Sequence, residues 1–222
     1  MFRCGVKRNR SDLLADQGLA LQLIGAANEF FTRYFHELTV LSPCALPHTG
    51  PAILVCNHTA GIDPLLIQTA CPRLVVWMIA KEYYDLWPLR YLFRKLEMIP
   101  VQRSGRDMAA TREALRALSA GRVLGLFPEG RIAPNHELLP FQSGVALLAS
   151  KSGAPVFPAY LDGTQRGREM VPSLLRPCSA TLAFGRQVSM DYTDTSKEGL
   201  ERATLAIRQA VSQLRDRSMA GR

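Results

Sequence analysis

The sequence predicts one α/β domain, a largely parallel sheet flanked by helices and preceded by an N-terminal amphipathic helical segment. Three observations carry that expectation. From Pro51 onward, short runs rich in Val, Ile and Leu alternate with segments of helical period, the order of a βαβ chain. Those runs are apolar on both faces, as in strands covered by helices on each side. At 222 residues, 47% hydrophobic and 21% charged, the chain suffices for one core and reads as neither disordered nor multi-spanning.

Taken in order, residues 12–40 carry Leu21, Ile24, Ala27, Phe31, Phe35 and Leu38 at steps of three and four, widened by Leu23 and Phe30. This is the stripe of an amphipathic helix, packed on the core or laid in a lipid interface. Arg3, Lys7, Arg8 and Arg10 just ahead of it favour the interface. Residues 1–48 are therefore set apart as a membrane-interface element, and 49–222 as the α/β domain. Strands are expected at 53–56, 74–80, 98–102, 123–127, 155–161 and 180–184, and helices at 64–71, 86–96, 107–120, 143–152 and 196–217. Met108, Thr111, Leu115 and Leu118 give one helix its stripe, and Gly121 stands where a helix stops. The last helix lines up Leu200, Ala203, Ile207, Val211 and Leu214, with Thr195 and Glu198 at capping-box spacing.

Charge narrows the partners. With 27 Lys and Arg against 19 Asp and Glu, the net charge of +8 favours phosphates, nucleic acid or a lipid surface. The absence of zinc-finger spacing, RNA-binding signatures and basic repeats argues against nucleic acid. Likewise, neither GxGxxG nor GxxxxGK[ST] occurs, which argues against nucleotide-dependent chemistry. Cys4, Cys44, Cys56, Cys71 and Cys178 are odd in number and form no CxxC, so a reducing compartment is expected, with no disulfide framework and no metal site. Residues 38–62 lack charge, but Pro43, Pro47 and Pro51 would break a spanning helix there. Asp12 and Asp16 interrupt any signal peptide, so the mature chain is expected to start near Met1.

Chemistry is sought just after the strands, where open α/β sheets keep their ligand sites. The run 53–56 leads into Asn57-His58-Thr59-Ala60-Gly61-Ile62-Asp63-Pro64. Taken alone, Asp63 reads as a helix N-cap ahead of Pro64, and His58 as an ordinary loop histidine. Taken together, a tight turn brings the carboxylate onto one ring nitrogen and leaves the other free as a general base. Further on, 123–127 runs into Pro128-Glu129-Gly130-Arg131, a turn bearing a carboxylate and a guanidinium. A third strand ends in Arg103, whose planar guanidinium suits a phosphate. A fourth is interrupted by Pro155 and Pro158, the mark of an edge or bulge.

Together these residues resemble the glycerolipid acyltransferases of the 1-acyl-sn-glycerol-3-phosphate acyltransferase type. His58 and Asp63 fit the HxxxxD motif, Arg103 fits the arginine of the second block, 127–130 reads FPEG, and 155–158 fits the proline-bearing fourth block. The resemblance covers roughly residues 50 to 190. It implies transfer of a fatty acyl group from acyl-CoA or acyl carrier protein, as co-substrate, to a lysolipid hydroxyl, with phosphatidic acid the product when the acceptor is 1-acyl-sn-glycerol-3-phosphate. His58 would be the base, oriented by Asp63, and Arg103, Glu129, Gly130 and Arg131 would hold the acceptor. The attack would be direct, without a cofactor, at the cytoplasmic face of an anionic membrane on which the protein is peripheral or monotopic.

Two positions depart from the family. Arg131 follows FPEG immediately instead of one residue later, and Gln142 stands after Phe141 where relatives often carry lysine. Both bear on the acceptor more than on acyl transfer, leaving open a lyso-aminolipid, another lysophospholipid or a sugar lipid. A non-catalytic membrane lipid-binding protein is the rival from another class.

Overall fold

A computed structural model describes residues 19–87, 89–102, 107–135 and 137–220. In chain order the elements are α1 (Leu19–Tyr34), β1 (Thr39–Val40), β2 (Ala52–Cys56), α2 (Asp63–Ala70), β3 (Val75–Ala80), α3 (Lys81–Tyr84), α4 (Leu89–Lys95) and β4 (Ile99–Val101). There follow α5 (Met108–Ser119), β5 (Val123–Leu126), α6 (Gly144–Ser152), β6 (Val156–Asp162), α7 (Met170–Leu174), β7 (Thr181–Phe184) and α8 (Lys197–Ala220). The strands form one seven-stranded sheet in the order β1-β7-β6-β2-β5-β3-β4, parallel throughout except between β6 and β7.

Alternation along each strand divides the core in two. Ile53, Val55, Leu124, Val156 and Tyr160 face α5, α6 and α8, whereas Leu54, Cys56, Val75, Trp77 and Leu161 face α2. Both layers need burial, which explains why the strands read as unbroken apolar runs. β2 lies between β5 and β6, and all five of its residues are inaccessible to solvent. The residues that follow it therefore emerge at the middle of the sheet's C-terminal edge.

Local sequence sets the helix ends. Asp107 caps α5 by accepting from the amides of Ala109 and Ala110. After α5, Gly121 takes a φ of +74°, its N–H donates to Leu118 and that of Arg122 to Ala117, the pairing that satisfies terminal carbonyls. The capping box expected from Thr195 and Glu198 does not form. Ser196 caps α8 instead, its hydroxyl accepting from the Gly199 amide at 3.0 Å, while Asp194 accepts from the Ser196 amide and hydroxyl.

Two further expectations are corrected. The helix over 12–40 stops, within the described residues, at Tyr34, and β1 follows, too short and exposed to leave an alternating pattern. The helix expected over 86–96 is a seven-residue α4 preceded by the one-turn α3. α1 meets α2 with the side that carries its stripe, where Leu21, Ile24 and Asn28 line a cavity with Leu65 and Phe31 packs on the core. Asn28 Nδ2 donates to the Leu65 carbonyl and the Thr69 hydroxyl, and the Thr32 and Thr69 hydroxyls meet at 2.8 Å. Polar groups thus face α2 too, while Leu19, Leu23, Phe30 and Tyr34 stay exposed. Among the described residues, no helix is long and apolar enough to cross a membrane.

Candidate active site

The turn after β2 begins with a side chain imitating backbone. Asn57 Nδ2 donates to the Leu161 carbonyl and its Oδ1 accepts from the Leu161 amide, both at 2.8 Å. The ladder between β2 and β6 is thereby completed, and His58 lies where the main chain turns away.

Asp63 is the first residue of α2 and fully buried. Its Oδ2 accepts from His58 Nδ1 at 2.9 Å, the Thr59 amide at 2.6 Å and the Ala60 amide at 3.0 Å. The Thr59 hydroxyl lies 3.2 Å from each carboxylate oxygen. The N-cap reading of Asp63 is therefore corrected: Ile62 occupies that position without a side-chain cap, and the carboxylate serves the preceding loop. In the neutral ring, a proton on Nδ1 directed at this carboxylate leaves Nε2 as the nitrogen with a free lone pair. The His58 side chain retains 17% exposure.

The loop carrying this pair is held from two sides. The Gly61 amide donates to the Arg168 carbonyl, the Gly167 amide to the Thr59 carbonyl, and the Thr59 and Thr164 hydroxyls meet at 2.5 Å. A Cβ on Gly61 would fall 2.3 Å from the Met170 nitrogen, so only glycine fits this approach. Opposite, the Ala133 amide donates to the His58 carbonyl at 2.7 Å. The imidazole itself lies on Phe127, centroids 4.0 Å apart and planes at 11°, and Phe127 lies on Trp77 at 4.8 Å and 14°.

Glu129 is buried behind this group. Its carboxylate accepts from the amides of His58 and Leu139, both at 3.3 Å, and burial raises its pKa to about 7. It therefore ties the His58 loop to the segment after the turn. Gly130 is exposed at a φ of +71°, with the Gln142 amide nitrogen 2.2 Å from where a Cβ would stand. Arg131 is exposed beside it, and Arg103 lies outside the described residues. Cys56, adjacent in sequence, is fully buried, and desolvation pushes its thiol well above the usual range. Among the described residues, no cluster of three or more His, Cys, Asp or Glu side chains is arranged to hold a metal ion.

The Acyltransferase family model matches residues 37–162, more than half of the chain and both the His58–Asp63 loop and the Glu129 turn. The chain belongs to the acyltransferase family. It is 24% identical over 175 residues to a 1-acyl-sn-glycerol-3-phosphate acyltransferase of Bacillus subtilis, covering 78% of this chain and 85% of that protein. Its identity to a Cocos nucifera enzyme of the same name is 27%, over 66% of this chain and 48% of the relative. To a lyso-ornithine lipid O-acyltransferase of Brucella abortus it is 27%, over 60% and 52%. The chain thus spans about half the length of those last two relatives. The crystal structure of a 1-acyl-sn-glycerophosphate acyltransferase, PlsC, from Thermotoga maritima shares the fold, with a TM-score of 0.73 at 22% identity over 96% of this chain and 84% of that one.

Within this acyltransferase, several residues around His58 were not singled out from the sequence. Asn57, Thr59 and Thr164 are small polar residues that look like ordinary loop formers. Trp77 looks like strand core. Asp162, which pairs with Arg166 while Arg166 also donates to the Asn135 carbonyl at 3.0 Å, did leave a signal: a charge ending an otherwise apolar strand.

Proposed function

We propose that the chain moves a fatty acyl group from a thioester, on coenzyme A or acyl carrier protein, to the free hydroxyl of a lysolipid, with 1-acyl-sn-glycerol-3-phosphate as acceptor and phosphatidic acid as product. The observation carrying this reading is the His58 imidazole at the C-terminal edge of the sheet, held at Nδ1 by a buried carboxylate and still partly open to solvent. An alcohol is a weak nucleophile near neutral pH, and a base within hydrogen-bond reach removes its proton as it attacks. In the proposed reaction that proton passes to Nε2 while the hydroxyl oxygen bonds to the thioester carbonyl carbon. Asp63 stabilises the resulting imidazolium. Collapse of the tetrahedral oxyanion breaks the carbon–sulfur bond, and the leaving thiolate takes the proton back from Nε2. A covalent route through Cys56 is disfavoured by that thiol's burial and raised pKa.

The acceptor headgroup is assigned to the turn at Gly130 and Arg131, with Arg103 as a further headgroup residue and Glu129 holding the turn. A lysolipid with an amino-acid or sugar headgroup is the second reading. It is favoured by the uncharged Gln142 amide over Gly130 and by the name of the Brucella relative.

The lipid acceptor implies a membrane surface, and the protein is proposed to work on an anionic one from its cytoplasmic face, with residues 1–48 as an interfacial element. Phe30, Tyr34, Trp87, Tyr91, Val171 and Leu175 are all exposed. They come from α1, the turn before α4, α4 itself and α7 with the residue after it. Tyr83 Oη donates to Glu169 at 2.5 Å, linking α3 to the start of α7, and Met170 lies against Gly61. Aromatic rings with basic neighbours such as Arg90 and Arg94 suit a headgroup layer.

The test is product analysis with purified full-length protein in detergent, given acyl-CoA or acyl carrier protein thioester and a panel of lysolipids. Phosphatidic acid from lysophosphatidate is expected. Acylation of an ornithine or sugar lysolipid alone would assign the second reading. No acylated lipid with either donor, from folded protein, would reject the proposed function.

A further inference from the structure

Asp63 holds the His58 ring at Nδ1 through one hydrogen bond, and the slack of that bond still lets the ring tilt. The face of the ring lies on Phe127. From His58 through Phe127, the rings continue to Trp77 in β3, two strands away from β2 across β5. Trp77 pairs in register with Gly125, two residues before Phe127. A Cβ at Gly125 would lie 2.6 Å and 2.7 Å from indole carbons. The glycine is therefore the space that lets the indole lie across β5 and beneath Phe127.

Packing alone does not account for the indole. Trp77 is 2% exposed, and its Nε1 is buried without a hydrogen-bond partner among the described residues. Leaving a donor unsatisfied costs stability that an aliphatic side chain would not. What the indole adds is a rigid, electron-rich plane. His58 becomes a cation when it takes its proton, and the aromatic face it then lies over is that of Phe127, which the indole backs.

We propose that Trp77, seated on Gly125, is a positioning residue for the general base: it holds the Phe127 plane, which sets the His58 ring toward the acceptor hydroxyl and favours the imidazolium formed as the proton arrives. This rests on the acyl-transfer reading above. The proton comes from the acceptor hydroxyl and leaves on the departing thiolate, so the stack itself is chemically unchanged.

The test compares Trp77→Phe, Trp77→Leu and Gly125→Ala in the full-length protein, by kcat and KM for thioester and acceptor, melting temperature, and the NMR shifts of the His58 ring protons. Trp77→Phe, which keeps a ring, is expected to retain kcat within about threefold. Trp77→Leu is expected to lower kcat about tenfold or more, with both KM values within about twofold. The His58 ring protons should move in Trp77→Leu and in Gly125→Ala, where the added methyl displaces the indole. Should Trp77→Leu fail to fold, Gly125→Ala carries the same expectation for kcat. Folded variants with wild-type kcat and unmoved His58 resonances would overturn the proposal, as would a raised KM at unchanged kcat, which would make Trp77 part of a substrate pocket. If the wild type transfers no acyl group, the function fails. Ring-proton shifts that still follow Trp77 would then show the stack standing apart from it.

Discussion

Glu129 receives the backbone N–H of His58 at 3.3 Å, so the carboxyl of the FPEG turn and the residue bearing the HxxxxD imidazole are joined through main chain. Side-chain contact between the two motifs runs instead through the rings of Phe127 and His58.

The buried carboxyl gives a pH signature. Burial lifts the Glu129 pKa from 4.5 to about 7, so the folded protein binds a proton there that the unfolded chain releases. Its contribution to stability is full below pH 4.5 and is lost as pH rises through about 7, on the order of 3 kcal/mol in all. Calorimetry from pH 5 to pH 8 should show a smaller fall in melting temperature for Glu129→Gln than for wild type. Equal slopes would contradict the shifted carboxyl.

Breaking the pair at the end of β6 should be costly. Asp162 and Arg166 are both largely buried, and removing one partner leaves the other charge uncompensated. Asp162→Ala is expected to lose about 3–5 kcal/mol in denaturant unfolding, with partial recovery in Asp162→Ala combined with Arg166→Met. A loss below about 1 kcal/mol would mean that solvent reaches the pair.

The contact between the His58 loop and α7 makes Gly61 intolerant of a side chain. A Cβ would meet Met170 backbone, which cannot move as a side chain can. Gly61→Ala should lose about 1–3 kcal/mol and depress kcat in the fraction that folds, by shifting the Asp63 turn. Wild-type melting and turnover would show that the two segments are not packed this closely.

Lipid binding should depend on the exposed aromatics as well as on charge. Trp87 is 81% exposed and Tyr91 67%. Replacing both with alanine should weaken flotation with anionic vesicles, and added salt should weaken wild-type flotation further. Binding indifferent to both changes would contradict the proposed interfacial role of these residues.

The relation of sequence to structure differs from element to element. The parallel strands were legible because layers on both faces make them apolar throughout, and Gly121 marked the end of α5 because a left-handed residue is needed there. β1 was not legible: at two residues it offers no period. The α1 stripe was legible at Leu21, Ile24 and Phe31, whereas the hydrogen bonds that Asn28 and Thr32 make to α2 from the same side left no period to read. At the site, His58, Asp63 and the Glu129 turn were found by spacing, since each stands just past a strand. Spacing could not reveal that Glu129 would be buried behind backbone amides, nor that Trp77, on a strand not adjacent to β2, would underlie the His58 ring. Both depend on the register of strands distant in sequence.

The central claim is that His58 removes the acceptor proton. Its most direct test is thiol release from an acyl thioester, followed with and without lysolipid, for wild type and His58→Ala at matched melting temperature. That base role predicts acceptor-dependent release by wild type that falls by about two to four orders of magnitude in His58→Ala. Release by a folded His58→Ala protein within a few-fold of wild type would contradict it.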